Sequence, residues 1–125
     1  MVWVTVDPNR CVLAINPVSW KIEWAIHLGV PGHLLAASPD GNTVYFSATE
    51  YPDVVAVDVA SKTIVNRIML PVGGQALRVS PDGARIYVGD LDGLLLHVID
   101  RAKAELVETV PLTAVPGWPL NYRDG

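Results

Sequence analysis

"RVSPDGARIYVGD", residues 78–90, sets a four-residue turn between two apolar runs. The same letters stand at Ser38-Pro39-Asp40-Gly41, inside "AASPDGNTVYFSA" (36–48), 42 residues before Ser80-Pro81-Asp82-Gly83. Pro39 and Pro81 preset φ for the second turn position. Asp40 and Asp82 can accept hydrogen bonds from nearby backbone N–H groups. Gly41 and Gly83 tolerate positive φ. This is the chemistry of a tight hairpin joining two strands.

The turn belongs to a longer repeat. Shifted by 42, "VLAINPVSWKIEWAIHLGVPGHLLAASPDG" (12–41) falls on "VVAVDVASKTIVNRIMLPVGGQALRVSPDG" (54–83), and then on "LHVIDRAKAELVETVPLTAVPGWPLNYRDG" (96–125). Ile26 meets Ile68 and Val110; Leu28 meets Leu70 and Leu112; Trp3 meets Tyr45 and Tyr87. No gap is needed, and three copies nearly fill the 125 residues. A period of about 40–45 residues built from strand-like units is the spacing of propeller blades. Each unit predicts four short strands; in one copy these are 76–80, 85–90, 95–100 and 105–110, where apolar residues alternate between Gly, Pro and Asp punctuation. No sustained 3.6-residue period is present, so essentially no helix is expected.

"SPDGARIYVGD" followed by "LLHVIDRAKAELVETVPL", and "SPDGNTVYFSA" followed by "VVAVDVASKTIVNRIMLPVGG", resemble the YVTN-type β-propeller repeat family. The resemblance covers nearly the whole chain, and it implies a seven-bladed parent architecture. The third copy departs from the pattern, with "NYRDG" for "VSPDG" and Pro119 inside an expected strand; proline cannot donate to a ladder. The expected fold is all-β: a partial, three-blade β-propeller of four-stranded antiparallel blades. With strands named a to d from the channel outward, the order is bcd-abcd-abcd-a. Residues 1–125 form one segment, with units at about 1–41, 42–83 and 84–125.

The totals narrow the partners. Net charge is −4, and no block of Lys or Arg occurs, which argues against nucleic acid and anionic membrane as partners. Cys11 is the single cysteine, so no intrachain disulfide and no thiolate zinc site can form. "MVWVTVDPNR" does not read as a signal peptide, and the apolar runs fall short of a membrane helix. The sequence as it stands therefore reads as cytoplasmic.

Three blades leave an apolar face at each end of an arc, and a stable monomer does not leave such patches in water. The partner is expected to be further blades of a longer propeller, or a second copy in a head-to-tail homodimer. In the homodimer the last strand, 118–122, would complete the first blade of the other copy. Leu120 and Tyr122 would contribute to that contact, with Trp118 at its edge. Trp24 stands where the sister units have Asn66 and Glu108, so it is either an interface residue or buried under its own blade's edge.

Ligand-binding candidates lie on the loops of one face: His33, Glu50, Tyr51, Gln75, Asp90 and Asp92, for a small ligand or a protein not identified by the sequence. "DLDG" (90–93) lacks the further ligands of a calcium loop, and no two histidines share a local metal spacing. No metal, no cofactor and no catalytic residue is expected. The favoured reading is a non-catalytic interaction or scaffold module. The alternative is a fragment of a propeller enzyme of the lactone hydrolase or quinoprotein kind.

Overall fold

The computed structural model describes residues 1–48, 51–90 and 93–112. These form eleven strands: β1 (Val2–Val6), β2 (Cys11–Ile15), β3 (Ile22–His27), β4 (Leu34–Ala37), β5 (Thr43–Ala48), β6 (Tyr51–Asp58), β7 (Thr63–Met69), β8 (Gly74–Val79), β9 (Arg85–Asp90), β10 (Leu95–Asp100) and β11 (Glu105–Pro111). A single 3-10 turn at Asp7–Asn9 is the one helical element among the described residues.

The strands make three antiparallel sheets. Sheet 1 is β1-β2-β3, sheet 2 is β4-β5-β6-β7 and sheet 3 is β8-β9-β10-β11. Each is a meander in chain order, so every hairpin is local. The last-but-one strand of every sheet meets the last through a bulge, at Ala14/Ile15, Ala56/Val57 and Val98/Ile99. A bulge at the same place in all three units raises the local twist.

The two identical turns fold alike. In the first, Ser38 Oγ donates to Asp40 Oδ1 at 2.5 Å, and the same carboxylate oxygen accepts from Asn42 N–H at 2.9 Å. In the second, Ser80 Oγ donates to Asp82 Oδ1 at 2.6 Å, and Ala84 N–H donates to it at 2.9 Å. The serine hydroxyl also accepts from Thr43 N–H in one turn and Arg85 N–H in the other. Gly41 and Gly83 both have φ +74°. Both aspartates are held below the usual carboxylate range, first by the serine hydrogen bond and then by the backbone one.

Sheet 2 is the middle layer, and its sequence shows why. β5 is buried from Val44 to Ala48 and β6 from Val54 to Val57, because both faces are covered there. Val44, Phe46, Ala48, Val55 and Val57 pack with Val12 of sheet 1 and with Leu28, just beyond β3. The alternate residues Tyr45, Val54 and Ala56 pack with Leu77, Ile86, Val88 and Ile99 of sheet 3. A continuous apolar run is the expected mark of a strand covered on both faces.

Candidate functional site

The first candidate is the pair of outer faces. On sheet 1, Val2 pairs with Ile15 and Val4 with Leu13, on the face turned away from sheet 2. Val2, Val4 and Ile22 are exposed there. Val2, Ile15, Val4 and Leu13 are the repeat equivalents of Val44, Val57, Phe46 and Val55, which are buried against sheet 1. On sheet 3, Tyr87 pairs with Val98 and Leu96 with Val110, on the face turned away from sheet 2. Their equivalents Tyr45, Ala56, Val54 and Ile68 are buried against sheet 3. A shallow apolar hollow of about 240 Å³, lined by Ala76, Tyr87, Gly89 and Leu96, marks that face. Each outer face thus carries one half of an interface whose two halves already meet inside the chain.

The edge of sheet 1 differs from its sisters. β5 pairs with β4, and β9 with β8, whereas β1 pairs with β2 alone among the described residues. An unpaired, apolar edge is a template for another strand. Trp118, Leu120 and Tyr122, expected on such a strand, lie outside the described residues.

Trp24 sits half-buried on β3, with its ring 5.1 Å from that of Trp3 and edge-on at 64°. Lys62 Nζ of sheet 2 lies 5.9 Å from the Trp24 ring centroid. The side chain therefore packs within the seam between sheets 1 and 2.

The loop candidates fall at the other end of the sheets from the Ser-Pro-Asp-Gly turns. Buried Ser47 brings two of them together: His33 N–H donates to its carbonyl oxygen at 2.7 Å, and its hydroxyl donates to the Gln75 carbonyl oxygen at 2.7 Å. The His33 side chain is exposed and Gln75 is half-buried. Tyr51 packs at the margin of the core between sheets 1 and 2. Asp90 is buried, and its Oδ1 accepts from Leu94 N–H at 2.8 Å and Leu95 N–H at 3.0 Å. That oxygen closes the β9–β10 turn. Glu50 and Asp92 lie outside the described residues. Arg67 adds a tie that the sequence does not announce: it donates to the Leu28 carbonyl oxygen at 2.7 Å and pairs with Asp53 at 3.4 Å. Among the described residues, no three of His, Cys, Asp and Glu gather as a metal site. No described helix is long and apolar enough to cross a membrane.

Sequence reasoning also missed Arg101. From the β10–β11 turn it reaches sheet 2, donating to the Tyr45 hydroxyl at 2.8 Å and lying 3.5 Å from Asp40. Its sister positions, Pro17 and Val59, gave no hint of a polar role.

Many solved structures share this fold, two of them as follows. Kuenenia stuttgartiensis hydrazine synthase superposes with a TM-score of 0.84 and 22% identity, over 89% of this chain and 32% of that one. Dihydro-heme d1 dehydrogenase NirN, solved in complex with DHE, superposes with a TM-score of 0.77 and 22% identity, over 92% of this chain and 25% of that one. Both are β-propeller proteins, so the likeness establishes a propeller fold. The chain spans a third or less of the length of either. No protein-family model matches the sequence, and no curated protein matches it.

Proposed function

We propose that this chain is a three-blade β-propeller segment, of YVTN-repeat type, whose function is assembly and binding rather than catalysis. Its sheets act as blades in the order bcd-abcd-abcd-a, in one unit spanning 1–125. The observation that carries the reading is the repeat equivalence of the outer faces. Val2, Val4, Leu13 and Ile15 form the accepting half of the inter-blade contact, and Tyr87, Leu96, Val98 and Val110 the inserting half. The occupant that fits both is another sheet of the same repeat. Two copies joined head to tail give six sheets, within the roughly 4–8 that close a propeller. Residues 118–122 of one copy then serve as the strand beside β1 of the other. His33, Tyr51, Gln75 and Asp90 border the loop end, where a ligand or protein would meet the closed ring. Sedimentation of the full chain tests this: a folded dimer supports it, and a folded, cooperative monomer contradicts it.

The second reading is a segment of a propeller enzyme. It is favoured by the names of the two similar structures, a synthase and a dehydrogenase, both several times longer than this chain. Turnover by the purified chain that is lost on His33→Ala would support it over the first.

A further inference from the structure

The seam between neighbouring sheets occurs twice in this chain, and it is filled once. Between sheets 1 and 2 the groove holds the Trp24 indole, edge-on to Trp3 and under Lys62. Between sheets 2 and 3 the equivalent positions are Asn66, Tyr45 and Ala104. The frame is the same in both. Trp24 pairs across the strands with Ala14, and Asn66 with Ala56. Val59 N–H donates to the Asn42 carbonyl oxygen at 2.9 Å, and Arg101 N–H to that of Ala84 at 3.0 Å. The walls persist while the indole and its covering lysine are gone. What remains is an open cleft of about 460 Å³ bordered by Tyr45, Ala56, Asn66, Ala84, Arg101 and Ala102.

The cleft is stiff and chemically mixed. Arg101 is fixed by the Tyr45 hydroxyl at 2.8 Å, the Gly83 carbonyl oxygen at 3.3 Å and Thr43 Oγ1 at 3.4 Å. Its guanidinium lies 5.9 Å from the Tyr45 ring centroid. A pinned wall loses little freedom when a ligand lands on it. Val65 supplies exposed apolar surface, and the Asn66 amide supplies both a donor and an acceptor. We infer that this cleft is a binding site for a small planar aromatic molecule of indole size, with a hydrogen-bonding edge turned toward Asn66. Such a ring restores the packing that Trp24 supplies in the sister seam, and a guanidinium plane is a favourable surface for it.

The test uses indole and the ¹⁵N-labelled full chain. Saturable shifts are expected in the millimolar range or below, clustered on the Asn66 side-chain amide, Ala84 and Ala102. Asn66→Trp copies the first seam into the second, so it should remove those shifts while the far-UV circular dichroism stays that of the parent. Arg101→Met should weaken binding several-fold. No saturable shift up to the solubility limit of indole, or shifts clustered at the His33 loop instead, would overturn the inference. So would undiminished binding by a folded Asn66→Trp chain. Should that variant fail to fold, the location of the shifts in the parent decides alone.

Discussion

Arg101 Nε and the Tyr45 hydroxyl meet at 2.8 Å across the seam between sheets 2 and 3, although 56 residues separate them. In the sister seam the same two positions hold Val59 and Trp3, both packed against the core between sheets 1 and 2. One position pair thus makes a polar tie across one seam and supplies apolar packing in the other. Arg101→Met removes the half-buried guanidinium and its contacts to Tyr45, Gly83 and Thr43, and should cost about 1–3 kcal/mol in a urea melt. Tyr45→Phe should cost about 1 kcal/mol. The two losses should not add, because they break a shared bond. Additive losses would mean that the contact contributes nothing to the seam.

Gly41 and Gly83 both have φ +74°, where a β-branched side chain is strained. Gly41→Val and Gly83→Val should each cost about 1–3 kcal/mol. The second should cost more. A Cβ at Gly41 meets nothing within 4 Å, whereas one at Gly83 lies 3.2 Å from Arg101 Nη1. Equal midpoints for both variants and the parent would contradict the turn geometry.

The propeller fold was legible in the sequence, because turn residues and strand alternation repeat in register. The apolar positions of the seams were legible for the same reason: a core residue in one unit has a core residue in the next. Strand limits were close, with 85–90 and 95–100 matching β9 and β10 and β8 starting at Gly74 rather than 76. The individual polar contacts were not legible. Ser38 and Ser80 organise the turns through hydroxyls, while local pattern points only to the Pro, Asp and Gly beside them. Arg101 acts on a sheet formed by distant sequence, and no spacing rule reaches that far. Trp24 stood out only as an odd residue among polar sisters; its contact with Trp3 follows from β1, β2 and β3 lying side by side.

Acid should loosen the turns. Asp40 and Asp82 have carboxyls held below their ordinary range in the folded chain. A depressed folded value gives stability that is present above the unfolded value and is lost as pH falls through the folded one. Stability should therefore decline below about pH 4. Asp40→Asn with Asp82→Asn should flatten that decline, read as the urea midpoint at pH 3 against pH 6. An unchanged pH slope would mean that the serine contacts carry no linkage.

His97 is fully buried on β10, with Nδ1 3.2 Å from Thr109 Oγ1 and with Nε2 lacking a partner among the described residues. Its sister position is Val55. A buried polar atom without a hydrogen bond costs about 1–3 kcal/mol. His97→Val should therefore raise stability by about 1 kcal/mol, with the gain limited by the loss of the Thr109 contact and of ring volume. A loss of stability would show that the imidazole has a partner or a packing role that outweighs its orphaned nitrogen.

The complementary outer faces are the centre of this account, and mass in solution tests them most directly. Sedimentation equilibrium of the full chain at low micromolar concentration should return twice the 13.5 kDa chain mass. Val4→Glu on one outer face, or Leu96→Glu on the other, should lower it. A parent chain that sediments as a folded, cooperatively melting 13.5 kDa monomer would contradict the account, because both apolar faces would then be stable in water.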